Sequence, residues 1–204
     1  MSGAQAKTLA WYRFDEAAPG EKPTAGEATI LNAVDSTLFP ATAWTEAKGG
    51  SLSTDATYLA TYADAFPAGA KVFDPLSGML SDNGRCLQFK ADGNQWGDFY
   101  GTFLTVADDE RLHVPSVTVE LFARFDGAAD LPLWRNLVIY PNDSGNVWAL
   151  RVGADGIPLF QFAYLKDGVA TDKTLYGDVS IKDGKWHHLA FVVRSNEAAT
   201  AYQV

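Results

Sequence analysis

Short runs in which apolar and polar side chains alternate dominate the hydrophobic pattern of this chain. In residues 117–125 the odd-numbered positions are apolar, and the even-numbered positions are polar except for Phe122. Residues 147–152 and 159–164 also alternate, and the turn sequence Ala154-Asp155-Gly156 lies between them. A period of two places alternate side chains on opposite faces of a strand, and Asp-Gly between two such runs favours a hairpin. The pattern therefore predicts half-buried antiparallel strands.

Further strands are predicted at residues 9–14, 86–90, 99–106 and 186–193. The last of these follows the turn Lys182-Asp183-Gly184-Lys185 and is apolar at both even and odd positions. That pattern is typical of a central strand covered on both faces. Another strand begins at residue 201, close to the end of the chain, and is expected to be incomplete. We therefore expect the chain to be a piece of a longer protein.

Helical periodicity is weak throughout. The best helix candidate is the Ala-rich segment 54–65, which is short and lies between Gly and Pro residues. Residues 37–83 as a whole are rich in Ala, Thr, Gly and Pro and predict a long irregular insertion. Many short strands joined by Gly, Asp and Asn turns indicate an all-β antiparallel sandwich or barrel, formed as one domain over residues 1–204.

Composition narrows the class of protein. The net charge is −9, from 16 basic and 25 acidic residues, and such a surface disfavours nucleic acid as a partner. The sequence contains no apolar run of about 20 residues that could cross a membrane. A signal peptide is not visible at its start, which leaves secretion open. Cys86 is the only cysteine, which excludes an intrachain disulfide and suits a bacterial or cytosolic protein.

Three segments carry a resemblance to a known family. They are Leu9-Ala-Trp-Tyr-Arg-Phe-Asp-Glu16 with Asn32-Ala-Val-Asp-Ser36, then Gly84-Arg-Cys-Leu-Gln-Phe-Lys-Ala-Asp-Gly93, and finally Asp183-Gly-Lys-Trp-His-His-Leu-Ala-Phe191. In this order they resemble the laminin-G-like jelly rolls of the concanavalin A-like lectin/glucanase superfamily, although Thr37 stands where the family usually has Gly. The resemblance implies a jelly-roll sandwich of two packed antiparallel sheets. It also implies carbohydrate or protein ligands and, in some members, a structural calcium ion.

Catalytic groups are not evident. Glucanases of this fold resemble one another in a Glu-x-Asp-x-x-Glu strand motif, which holds two carboxylates about 5 Å apart. Glu120 stands alone on its predicted strand, so we expect no catalytic residue. His187 and His188 are adjacent on a strand and point to opposite faces, so they cannot chelate one metal ion together.

Sugar recognition needs exposed aromatic rings beside planar polar groups. Two predicted loops offer them, and the candidate ligand-binding residues are Asn94, Gln95, Trp96, Asp98 and Tyr100 in one loop and Trp134 and Asn136 in the other. These aromatic residues could instead cap the core. Asp35 and Asn32, at the Asp-Ser turn, are candidate calcium ligands, although a capped turn explains the pair equally well.

Three functions remain open from the sequence. The preferred hypothesis is a non-catalytic carbohydrate-binding or adhesion module of a larger secreted or cell-surface protein, with a bacterial origin favoured. Its partners would be a carbohydrate or glycoconjugate and the other domains of that larger chain. The alternatives are a divergent glycoside hydrolase or an accessory domain of one, and a structural or protein-binding spacer.

Overall fold

The computed structural model describes residues 7–47, 51–53, 59–65, 71–74, 79–82, 84–89, 91–92, 100–112, 116–125, 135–140, 148–166, 169–196 and 201–203. The chain forms two compact units, Met1–His113 and Val114–Val204. Within the described residues, regular structure consists of antiparallel strands and a short 3-10 helix, which confirms the all-β prediction. No helix in these ranges has the length and apolarity needed to span a bilayer. A single domain over residues 1–204 stays a prediction.

The first unit is built of small antiparallel sheets. Its described strands are β1 (Ala41–Ala47), β2 (Ser51–Ser53), β3 (Thr61–Asp64), β4 (Lys71–Asp74), β5 (Met79–Asp82), β6 (Arg85–Gln88), β7 (Ala91–Asp92) and β8 (Tyr100–Val106). The order β2-β1-β8-β7 makes a four-stranded sheet, while β3 pairs with β6 and β4 with β5. The 3-10 helix spans Glu110–Leu112.

The core of the first unit lies against β1, β3 and β6. Ala41, Ala43 and Thr45 alternate along β1 and are at most 1% exposed. Ile30 exchanges two main-chain hydrogen bonds with Ala41, of 2.8 and 3.2 Å, and joins the same cluster as Tyr62 of β3. Burial of these side chains supplies the hydrophobic stabilisation of this unit.

The second unit contains two antiparallel sheets. Its described strands are β9 (Val117–Arg124), β10 (Arg135–Tyr140), β11 (Trp148–Val152), β12 (Pro158–Lys166), β13 (Val169–Tyr176), β14 (Trp186–Asn196) and β15 (Ala201–Gln203). The order β10-β11-β12-β13 forms one sheet, and β15-β14-β9 forms the other. The predicted hairpin at Asp155-Gly156 joins β11 to β12, and Gly156 takes the left-handed φ of 81° that this turn requires.

These two sheets pack face to face. Leu150 of β11, Phe160 of β12 and Phe191 of β14 form one buried cluster, and the Phe160 and Phe191 rings lie 4.2 Å apart between centroids. Since Phe191 belongs to one sheet and Phe160 to the other, the cluster is the core of a β-sandwich. The prediction of two packed sheets is confirmed in this unit.

The prediction of a strand at residues 9–14 is wrong. This segment pairs only through a single bridge between Tyr12 and Asn32. The main-chain N–H of Trp11 donates to the Asn32 side chain, and Phe14 has a φ of 58°, which breaks an extended backbone. Tyr12 and Phe14 of this segment pack against the core without forming a sheet.

Two further predictions for the first half need correction. Residues 37–83 are not irregular throughout, because β1 to β5 lie there. The helix predicted at 54–65 is replaced by β3 in its described part, where Tyr62 is buried and pairs with Leu87; residues 54–58 lie outside the described ranges. Alanine and threonine give alternation little hydrophobic contrast, which explains why the sequence pattern did not reveal β1.

Most strands predicted for the second half are confirmed, with ends that shift by one to three residues. The polar strand β13 was not predicted. β14 lies between β9 and β15, as expected of a central strand. The expectation that both of its faces are covered is wrong, since His188 and Ala190 are exposed.

Candidate functional site

Asn32 is a buried structural residue. It is 1% exposed, and its Oδ1 accepts hydrogen bonds from the N–H groups of Trp11 (2.9 Å) and Val34 (3.0 Å). Its Nδ2 donates to the carbonyl oxygen of Leu9 at 3.2 Å. A carbonyl oxygen has two lone pairs, and main-chain donors use both of them here. Asn32 therefore connects two segments that have no regular pairing.

Asp35, the second predicted calcium ligand, closes a turn. Its Oδ1 accepts from Thr37 N (2.9 Å) and Thr37 Oγ1 (2.7 Å), and these hydrogen bonds lower the pKa of the exposed carboxyl. Calcium needs six to eight oxygen ligands. Asn32 and Asp35 do not fit such a cage in this arrangement, and no three His, Cys, Asp or Glu side chains converge elsewhere in the described ranges. A structural calcium ion stays a prediction.

The two adjacent histidines have different surroundings, as the strand alternation predicts. His187 Nε2 lies 2.8 Å from Asp183 Oδ1, and the same oxygen accepts from Lys185 N at 3.0 Å. The pKa of Asp183 is lowered to about 2. The hydrogen bond with His187 is the largest cause, and the hydrogen bond from Lys185 N is the second. His187 thus tightens the turn that leads into β14.

This turn makes stability depend on pH. The ordinary pKa of the Asp183 carboxyl is 3.8, and in the folded chain it is about 2. The ionised carboxylate therefore stabilises the fold above about pH 4, and this stabilisation is lost as the pH falls towards 2. We expect Asp183→Asn to lower the urea midpoint at neutral pH. Between about pH 4 and pH 2 the urea midpoint of this variant should fall less than that of the wild type.

Asp178→Asn, on the exposed loop after β13, is the matched control for that measurement. It should leave the pH profile of the urea midpoint unchanged. Identical profiles for the wild type and Asp183→Asn would contradict the assigned role of the turn.

The outward face of the β9–β14 ladder carries five side chains that form a strip. We call this set the aromatic strip, and it consists of Glu120, Phe122, Arg124, Trp186 and His188. They share one face because Phe122 pairs with His188 and Arg124 with Trp186, while Glu120 precedes Phe122 by two residues. Val119 and Leu121, between them in sequence, face the core cluster.

Contacts within the aromatic strip hold it in place. The Phe122 and His188 rings lie 4.8 Å apart between centroids, with an interplanar angle of 31°. The Arg124 guanidinium carbon lies 5.4 Å from the centroid of the Trp186 ring, within cation–π range. His188 Nε2 is 3.5 Å from Glu120 Oε2. Phe122 remains 48% exposed, so its ring is available to a ligand.

Glu120 has no second carboxylate beside it on this ladder. Its neighbours on the same face are Thr118 and Phe122 along β9 and Ala190 across the pair. Retaining glycosidases need two carboxyl groups about 5 to 5.5 Å apart. The described part of the ladder therefore does not contain the paired carboxylates of that chemistry.

Most of the ligand-binding residues predicted from the sequence lie outside the described ranges, namely Asn94, Gln95, Trp96, Asp98 and Trp134. The other two are placed by their main chains alone. Tyr100 begins β8 and pairs with Asp92, while Asn136 lies in β10 opposite Arg151, next to a register irregularity. All seven assignments stay predictions.

The aromatic strip was not predicted as a site. One signal for it was present, since Phe122 is the apolar exception on the polar face of an alternating strand. Trp186 is partly buried and shares the outward face with Arg124. The juxtaposition itself depends on the register of two strands more than sixty residues apart, which no local pattern contains.

Comparison with known proteins identifies the family. A family model described as the concanavalin A-like lectin/glucanases superfamily (Laminin_G_3) matches residues 98–203, from β8 to β15. No curated protein and no solved structure matches the chain. The superfamily includes both glycosidases and non-catalytic lectin-like domains. With more than half of its length matched and a β-sandwich in the second unit, the chain belongs to the concanavalin A-like lectin/glucanase superfamily.

Proposed function

We propose that this protein is a non-catalytic carbohydrate-binding or adhesion module of a larger secreted or cell-surface protein. The observation that carries the proposal is the aromatic strip on the outward face of the β9–β14 ladder. Its exposed Phe122 ring offers a flat apolar surface, and Glu120, His188 and Arg124 offer acceptors and donors beside it.

A pyranose ring has a matching surface. Its axial C–H groups form an apolar face that stacks on an aromatic ring, and its hydroxyl groups at the rim need hydrogen-bond partners. The strip provides both kinds of contact on two paired strands, where the side chains are held more firmly than on a loop. Membership of a superfamily with lectin-like members agrees with this interpretation.

A glycan array with the purified chain tests the proposal. Phe122→Ala should weaken binding to any glycan recognised by about tenfold, equal to about 1.4 kcal/mol, because the stacking surface is removed. Phe89→Ala is the matched control, since Phe89 is 50% exposed, close to the 48% of Phe122, but lies outside the strip. Unchanged binding by the Phe122 variant would contradict the assignment of the strip.

The same array separates the strip from the predicted loops. Binding that survives both Trp96→Ala and Trp134→Ala would remove the loop residues from the site. Release of reducing sugar from a polysaccharide panel would overturn the non-catalytic interpretation. A complete absence of glycan binding would favour a structural or protein-binding spacer.

A further inference from the structure

A shallow cleft lies at the end of the β11–β12 hairpin, on the other outer side of the sandwich in the second unit. Its volume is about 220 Å³, and its lining includes Asp155 and Ile157 from the turn, Leu159 from β12 and Tyr176 from β13. Leu159 and Tyr176 pair across the sheet and therefore share a face. That face is opposite to the one that carries Phe160 into the core.

Hydrogen bonds hold both walls of the cleft. In the turn, Gly153 N donates to Ile157 O (2.9 Å) and Gly156 N to Gly153 O (2.9 Å). The segment after β13 is tied to the same turn, because Ser180 Oγ donates to Asp155 O (2.8 Å) and Ile181 N to Gly156 O (2.9 Å). The cleft is thus formed before any ligand arrives, which reduces the entropy cost of binding.

A large aromatic side chain of the cleft lining is unusually exposed. Tyr176 is 67% exposed. Leu159, by contrast, is only 3% exposed and forms a closed floor. An aromatic ring that stands at the edge of an apolar floor leaves one face open for stacking.

Asp155 adds a polar group with a set orientation. Its Oδ1 accepts a hydrogen bond from Ile157 N at 3.0 Å, and this bond fixes the orientation of the carboxylate within the β11–β12 turn. A Cβ atom at Gly153 would come within 2.7 Å of this oxygen, so only glycine at position 153 leaves the carboxylate where it is. Among the described lining residues, Asp155 is the one that carries a charge.

We infer that this cleft is a second sugar-binding subsite, which takes one neutral hexopyranose ring between the Tyr176 ring and the Asp155 carboxylate. The inference rests on the proposed carbohydrate-binding function and adds a site on the opposite side of the sandwich from the aromatic strip. The sugar stacks its C–H face on Tyr176, and two of its hydroxyl groups donate to Asp155.

Size and charge select this ligand. Pockets for drug-sized ligands usually have volumes of about 300–1,000 Å³, so a cleft of about 220 Å³ suits one sugar ring rather than an oligosaccharide. A uronic acid would place its carboxylate near Asp155 and be repelled. A single ring makes few contacts, so its dissociation constant falls in the millimolar range.

Saturation-transfer NMR on the full chain tests the inference with methyl glucoside, methyl galactoside and methyl mannoside, and with glucuronate as the acidic comparison. We expect at least one neutral glycoside to bind and glucuronate not to bind. Tyr176→Ala should weaken the neutral ligand about tenfold, whereas Tyr176→Phe keeps the ring and should stay within about threefold of the wild type. Gly153→Ala should weaken binding as well, since the added methyl group displaces the Asp155 carboxylate.

Phe89→Ala, which lies outside both the cleft and the aromatic strip, should leave monosaccharide binding unchanged. The glycan array with Phe122→Ala reports on the aromatic strip separately. Two results would overturn the cleft assignment alone: Tyr176→Ala has no effect on the binding of any monosaccharide, or no monosaccharide binds at all. The proposed function stands in either case if the chain still binds glycans through Phe122. Binding of glucuronate as strong as that of the neutral sugars also overturns it. If the wild-type chain binds no glycan in either experiment, both proposals fail.

Discussion

Replacement of Phe191 by alanine is expected to lower the free energy of unfolding of the second unit by about 3–5 kcal/mol, which is the usual cost of removing a buried phenylalanine side chain. Phe191 is 7% exposed, and its ring stands 4.2 Å from that of Phe160 in the opposite sheet. Because the contact joins the two sheets, the cavity would open in the middle of the sandwich.

Urea denaturation followed by tryptophan fluorescence measures this loss, and hydrogen exchange locates it. We expect faster exchange in β11, β12 and β14 of the variant. Phe122→Ala is the matched control, since the same residue type is removed from the exposed face of the neighbouring strand, where the cost should be within about 0.5 kcal/mol. A loss for Phe191→Ala as small as that of the control would show that the two sheets do not share this core.

The second large effect is expected in the first unit, from Asn32→Ala. The substitution removes three hydrogen bonds at once and leaves the N–H groups of Trp11 and Val34 and the carbonyl of Leu9 without this partner. An unsatisfied buried polar group costs about 1–3 kcal/mol. Since these three groups are only partly buried, we expect a total destabilisation of about 3 kcal/mol.

Asp35→Ala, three residues away, is the control for Asn32→Ala. Asp35 is exposed and bonds only within its own turn, to Thr37, so its loss should cost less than about 1 kcal/mol. Both variants are measured by urea denaturation in a buffer with a calcium chelator, because the hydrogen bonds of Asn32 need no metal ion. If both variants are less stable than the wild type only when calcium is present, the two residues act as metal ligands and the structural role of Asn32 is wrong.

The sequence pattern predicted the strands of the second unit better than those of the first. In the second unit, the alternation of residues 117–125 predicted which side chains of β9 face the core, and Asp155-Gly156 predicted the β11–β12 hairpin. Both features are local, since a strand period and a turn conformation depend on neighbouring residues. In the first unit, the aromatic segment 9–14 resembled a strand more closely than β1 did, although only β1 pairs extensively.

The failure at residues 9–14 has a specific cause. A buried asparagine side chain takes the place of a neighbouring strand there, and it lies more than twenty residues away in sequence from Trp11. For β1, the decisive feature is that Ala41, Ala43 and Thr45 fit a tightly packed interior, and small side chains carry little signal until their neighbours are known.

The sequence by itself therefore determined the fold class, the turn positions, the inward face of β9 and the opposite orientations of His187 and His188. It also excluded the carboxylate motif of the glucanases. Only the tertiary structure brought Phe122 against His188 and Arg124 against Trp186, and placed Tyr176 beside Asp155. The reason is physical: the period of a strand is a local property, whereas the register between strands depends on the packing of the whole sheet.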